Sequence, residues 1–304
     1  MNIVTLTLAP AFDIHCDAES ILVDHENIAS VTDYDAGGKG VNISRALVNV
    51  GCDNTAIVAI GNENGLEFEK RLKNDNICFQ KIDISGRIRE NITIHTANGR
   101  ETRLSFKGAV APFDLLKRVE AITDKICDSE TILTFTGRLP EGVSVSDAKS
   151  YLSSLKKRGT RIVLDSRSFS LGDMLEVKPF LIKPNEEEIS MYMGRDITDM
   201  DSASLCAKEL YEKGIENVMI SLGEKGAVLC SGGEIFTSPA PSVNVISTIG
   251  AGDSSIAGFL YALSKGKSAY DCLRYAVAFG SAACELPGTN PPKADAIERF
   301  LSEI

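Results

Sequence analysis

Residues 247–263, STIGAGDSSIAGFLYAL, set a carboxylate among glycines at the start of a helix. Ile256, Phe259, Leu260 and Leu263 recur at i, i+3, i+4 and i+7, the spacing of one buried helix face, so the first turn falls near Gly252 and Asp253. The first amides of a helix lack internal partners and carry partial positive charge, and glycines hold no Cβ between those amides and an anion. Donors for a developing oxygen charge and an Asp to orient a hydroxyl and take its proton are the two needs of phosphoryl transfer to an alcohol. The alternative is a glycine-rich turn in which Asp253 only caps the helix.

Four further segments carry chemistry. In DAGGKGVNISRALVNVG, glycines and a lysine precede a helix whose apolar face is Ile43, Ala46, Leu47 and Val50. Gly37 and Gly38 let backbone approach a polar ligand, Lys39 adds a point charge, and Asn42 offers both a donor and an acceptor to a sugar hydroxyl. GGKG lacks the spacing of a P-loop. In LIKPNEEEI, Asn185 and Glu188 stand three apart on a first helical turn, where oxygen ligands can hold Mg²⁺ or its bound water, or where acids merely suit the helix dipole. SLGEKGAVL brings Ser221, Gly223 and Gly226 into a glycine-bracketed turn open to a nucleotide, or into a plain β-turn. FTGRLPEGV puts Gly137 and Arg138 directly after a strand, where a guanidinium can clamp a phosphate in bidentate fashion or simply face solvent.

Elements that position these residues follow from periodicity. Short β-rich runs at 3–8, 55–60, 131–136, 161–165, 180–183 and 217–222 alternate with amphipathic stretches at 113–126, 145–157 and 202–213. This βαβ rhythm predicts a mostly parallel sheet with helices on both faces, and ligands at the carboxyl ends of its strands. Residues 18–34 and 87–107 break the rhythm. The second alternates around an Asn98-Gly99-Arg100 turn, and both read as antiparallel strands that meet as a small lid over the strand ends, or as two separate hairpins.

The composition narrows the partners. With 304 residues, 43% hydrophobic, a sizeable core is available. A formal charge of −10 and no run of five Lys or Arg argue against nucleic acid, so phosphate attraction must come from local cations such as Lys39, Arg89, Arg138 and Lys183. Eight scattered cysteines read as reduced core residues, and three histidines show no zinc spacing. The first ten residues, MNIVTLTLAP, lack signal-peptide character and no run reaches a membrane span, which predicts a cytoplasmic protein with no membrane partner.

In this order, TLAPAFD, AGGKGVNISRAL, IRENITI, TGRLPEGV, LIKPNEEEI, SLGEKGA and STIGAGDSSIAGF resemble the ribokinase-like (PfkB) carbohydrate kinases, in the hexose-phosphate branch with the 1-phosphofructokinases and tagatose-6-phosphate kinases. The resemblance spans nearly the whole chain. It implies a three-layer α/β/α body (1–11, 36–86 and 108–304), a β lid (12–35 and 87–107) that often helps form a homodimer, and the use of ATP and Mg²⁺. On the same ground Asp253 is the base, and the backbone of Gly250, Ala251 and Gly252 the anion hole. Asp13, Gly37, Gly38, Lys39, Asn42, Arg89 and Asn91 fall on the sugar side. Lys183, Ser221, Gly223 and Gly226 fall on the nucleotide side, with Asn185 and Glu188 toward magnesium. Three positions depart from the family pattern: Ala9 replaces a usual Asn, Thr93 a common Lys and Arg138 a common Ser. The reading is that Arg138, with Lys39 and Arg89, grips a phosphate already on the substrate. Fructose 1-phosphate is the favoured acceptor and tagatose 6-phosphate the second, with a non-catalytic sugar-phosphate sensor as a different class.

Overall fold

The computed structural model describes all 304 residues. In chain order the first half runs β1 (Asn2–Thr7), β2 (Ala11–Ala18), β3 (Ser30–Gly37), α1 (Lys39–Asn49), β4 (Thr55–Gly61), α2 (Gly65–Asn74), β5 (Phe79–Ile84), β6 (Arg89–Thr96), β7 (Glu101–Ser105) and α3 (Leu115–Ile126). The second half runs β8 (Thr131–Thr136), α4 (Val145–Lys157), β9 (Arg161–Asp165), α5 (Leu171–Val177), β10 (Leu181–Ile182), α6 (Glu186–Met193), α7 (Met200–Glu212), β11 (Asn217–Ser221), β12 (Ala227–Ser231), β13 (Glu234–Ser238), α8 (Ala251–Ser264), α9 (Ala269–Cys284) and α10 (Ala294–Glu303).

Strands of near-continuous apolar sequence bury both faces, and that is what builds three layers. In β8 and β9, Leu133, Phe135, Ile162 and Leu164 point into a core shared with α3 to α7, while Ile132 and Val163 point into one shared with α1, α8, α9 and α10. The large sheet has nine strands in the order β13-β12-β11-β10-β9-β8-β1-β4-β5, parallel except for the antiparallel pairs β11/β12 and β12/β13. From β1 the chain first winds to β4 and β5 and later to β8 and beyond, so order reverses between β1 and β8, where ligands of such sheets collect.

A separate sheet, β3-β2-β6-β7, joins the two segments that broke the rhythm. It corrects the expectation in two respects. The β2/β6 pair is parallel, because both strands leave the body in the same direction, and β2 begins at Ala11 rather than after residue 18, leaving 19–29 without strand. The foot of β3 is held to the body: Arg45 of α1 donates to the Ala36 carbonyl, and Arg71 of α2 donates to the Tyr34 carbonyl and lies over the Tyr34 ring. Phe12, Val58, Phe68 and Leu72 pack beneath it. No helix is long and apolar enough to cross a membrane.

Candidate active site

Two helix starts differ from most of the others. Side chains cap α4, α5, α6, α7 and α9, whereas α1 and α8 begin at Gly38 and Gly250 with no side-chain cap. No side chain occupies their first-turn amides, which suits an anion, although Ala251 N–H donates to the Thr248 carbonyl at 3.4 Å. The two starts meet where Asn42 Nδ2 donates to Asp253 Oδ2 at 2.9 Å. Asp253 is 6% exposed, and burial pushes its carboxyl up to about 6 against the opposing pull of Lys39 and Asn42. Lys39 Nζ donates to Asp165 Oδ2 at 2.7 Å. Burial would raise Asp165, but Lys39, Lys183 and Arg167 outweigh it and hold the carboxyl below its ordinary value. The buried Lys183 ammonium stands at the start of α8, 3.1 Å from where a Cβ on Gly252 would lie. Ala251 is the first residue of that helix.

The small sheet supplies the facing wall. Asp13 accepts from Asn91 Nδ2 at 2.8 Å and from Arg103 Nη2 at 3.5 Å. Gly37 lets Asp13 take this place, since a Cβ there would sit 2.0 Å from Asp13 Oδ2. Arg89, Arg103 and Arg138 form a guanidinium cluster. Burial first, and then the charges of Arg138 and Arg103, lower Arg89 from its usual value against the pull of Asp13. Lys39, which the sequence reading grouped with Arg89 and Arg138, lines the same cavity with its ammonium held by Asp165 beside Asp253. Arg103, absent from the sequence reading, lies directly across from Thr93 in the β6/β7 pair.

Asn185 and Glu188 form a capping box: Glu188 N donates to Asn185 Oδ1 at 2.8 Å and Asn185 N to Glu188 Oε2 at 3.2 Å. Glu188 Oε1 also accepts from Arg167 Nε at 2.7 Å. No cluster of three His, Cys, Asp or Glu side chains could enclose a metal. The oxygen donors still suit Mg²⁺, which keeps its waters and is usually bound through one or two carboxylates plus substrate phosphates. Contact through water would leave the capping box intact. Ser221 and Gly223 line a shallow groove with Asn185, whereas Gly226 lies away from it, turned against the backbone of residues 238–240.

These groups border one cavity of ≈ 500 Å³, lined by Thr7, Asp13, Gly38, Lys39, Asn42, Arg89, Asn91, Arg103, Arg138, Asp165, Lys183, Glu188, Gly250, Gly252 and Asp253 among others. Asn185 connects it to the groove. Of twelve buried side-chain polar atoms without a partner, those of Thr7, Asn42, Arg89, Asn91, Thr136 and Thr289 belong to residues on this wall. Such atoms are costly to leave unpaired, and their concentration here marks a site completed by something other than the chain itself. Thr7, Thr136 and Asp165, at the ends of β1, β8 and β9, escaped sequence reasoning, as did Arg103, Arg167 and Thr289. Asp165 alone left a signal, an acid closing the apolar run RIVLD.

The sequence profile described as pfkB family carbohydrate kinase matches residues 7–296. A 1-phosphofructokinase from Haemophilus influenzae is 31% identical over 308 residues, covering 100% of this chain and 97% of the relative. The ATP-dependent 6-phosphofructokinase isozyme 2 of Escherichia coli is 30% identical over 307 residues, covering 100% and 99%. Phosphofructokinase-2 from Escherichia coli, solved in complex with substrates and products, superposes with a TM-score of 0.94 at 29% identity, covering 99% of each chain.

Proposed function

Because this chain belongs to the pfkB family of carbohydrate kinases and is an ATP-dependent sugar-phosphate kinase, we propose that it phosphorylates fructose 1-phosphate to fructose 1,6-bisphosphate. The observation that carries this reading is a single cavity with a buried carboxylate at an uncapped helix start on one wall and three guanidiniums on the other. Arg89, Arg103 and Arg138 suit a dianionic phosphate monoester better than a neutral sugar. Asp13, Asn91 and Asn42 would orient the sugar hydroxyls. ATP would enter along the groove at Ser221 and Gly223, with Lys183 near its phosphates. Mg²⁺ carried on those phosphates would be held near Asn185 and Glu188, and would supply neutralising charge to the phosphate oxygens.

The 6-hydroxyl attacks the γ-phosphorus, the bond to the β-phosphate oxygen breaks, ADP leaves, and Asp253 takes the hydroxyl proton. Amides of Gly250, Ala251 and Gly252 stabilise the oxygens of the travelling group. The small sheet acts as a lid that excludes water as a competing acceptor. Its outer face carries Ile14, Ile92 and Leu104 in register, with Val31 and Leu104 strongly exposed, which supports a homodimer formed through the lid. ADP release measured with fructose 1-phosphate, tagatose 6-phosphate, fructose 6-phosphate and free fructose tests the reading. Highest kcat/KM with fructose 1-phosphate is expected. Preference for another phosphate replaces the substrate, and preference for free fructose removes the role of the guanidinium cluster.

A further inference from the structure

The turn at residues 287–290, between α9 and α10, touches both walls of the cavity at once. Its Asn290 amide closes on the Pro287 carbonyl at 3.4 Å and its side chain on the same carbonyl at 2.9 Å, so the turn is internally braced. Gly288, with φ +59°, lies against the His15 ring of the small sheet, and a Cβ on it would sit 2.5 Å from His15 Nε2. Asn290 Nδ2 donates to Asp33 Oδ2 of the same sheet at 3.3 Å. Between these two, the buried Thr289 faces the other way: its Cα lies 3.4 Å from where a Cβ on Gly250 would be. Amides of Ile246 and Ser247, leading into Gly250, are tied to the Cys284 carbonyl at the end of α9, which leads into the turn. His15 is itself fixed, 4% exposed and with Nδ1 3.1 Å from His95 Nε2.

From this sequence of contacts we propose that His15 is a positioning residue for phosphoryl transfer: through Gly288 it sets the turn 287–290, and through Thr289 that turn sets Gly250, so that the small sheet and the start of α8 settle together. The inference rests on the assignment of α8 as the phosphoryl-binding end. Closely packed contacts of this kind pass a displacement on rather than absorbing it. Its energetic form is a coupling: sugar phosphate held by the small sheet strengthens binding of a nucleotide whose terminal phosphate lies at Gly250, and the reverse.

The test measures the dissociation constant of the magnesium complex of AMP-PNP by calorimetry, with and without saturating fructose 1-phosphate, at pH 8. Should the ADP-release assay select another ketohexose phosphate, that one is used. Wild-type protein is expected to show roughly fivefold or greater tightening, within the usual range of such couplings. In His15→Ala the tightening falls below about twofold, while each ligand alone binds within about twofold of wild type, an outcome that simple loss of structure does not give. Gly288→Ala keeps His15 but crowds it and is expected to lose coupling too. In the double variant the methyl group occupies space vacated by the imidazole, so the second substitution adds little to the first. Asn290→Ala, a partly exposed change that spares the core, is expected to weaken coupling in the same direction. Unchanged coupling in His15→Ala or Asn290→Ala, strict additivity in the double variant, or no coupling in wild type each overturns the proposal. None of these results touches the kinase reading, which stands on turnover.

Discussion

Asp253 has a folded-state pKa of about 6 against an ordinary value of 3.8, so the fold binds its proton more tightly than the unfolded chain does. Its stabilising contribution is present below about pH 4 and lost as pH rises through about 6. At pH 7–8 the ionised carboxylate therefore opposes folding by on the order of 2–3 kcal/mol. Asp253→Asn is expected to raise the thermal midpoint while cutting kcat by about 10²–10⁴. Calorimetry and turnover of one preparation check both, and near-normal turnover removes Asp253 as the base. The kcat/KM of the wild-type chain should fall as pH drops below about 6, because a proton then occupies the acceptor. Arg138→Ala loses a charged hydrogen bond to the substrate's phosphate and is expected to raise the sugar-phosphate KM by about 10–100-fold, with that of ATP little changed. Equal effects on both constants would reject the assignment. Asp253 was legible because glycines, acid and helix period lie within one short segment. Arg103 was not: it matters only because the β6/β7 register sets it opposite Thr93, and register is a property of the pairing rather than of either strand.

In the hairpin between β11 and β12 the two glycines have different surroundings. Gly226 has φ +104°, and a Cβ on it would lie 2.1 Å from the Ser238 carbonyl oxygen, so the residue is required by the approach of backbone to backbone. Gly223, with φ +57°, has nothing within 4 Å of such a Cβ and borders the groove. Gly226→Ala should therefore destabilise by about 2–4 kcal/mol, and Gly223→Ala by about 1 kcal/mol, in chemical unfolding. Any change in ATP KM beyond loss of folded protein should belong to Gly223. The glycine count alone could not rank the two. Strand and helix positions were otherwise well foretold where apolar period was strong: 131–136 and 161–165 recur as β8 and β9, and 145–157 as α4. The small sheet was foretold as a sheet but not in its β2/β6 direction, because alternation says which face a residue takes and not which way its neighbour runs.

A chain of net charge −10 that takes two polyanionic substrates depends on where its cations stand. Lys39 and Lys183 flank Asp253, and the guanidiniums of Arg89, Arg103 and Arg138 face it across the cavity. The outer face of the small sheet has no such charge, and Val31→Glu with Leu104→Glu is expected to convert a dimer to a 32.7 kDa monomer in sedimentation experiments. A wild-type monomer would withdraw the dimer. The two arginines that grip the Tyr34 and Ala36 carbonyls carry a mechanical consequence. A ribbon clamped at its foot cannot slide; it can only swing, so Asp13, opposite Asp35 near the clamp, has a short arc, whereas Arg103, on the far edge strand β7, has a longer one. Hydrogen exchange should show this as amides near Tyr34 exchanging as slowly as the body while those of 19–29 exchange fast. The acid proposed to orient the hydroxyls thus stands beside the pivot, and of the three guanidiniums Arg103 alone stands toward the rim, with Arg89 level with Ala11 at the foot and Arg138 on the body.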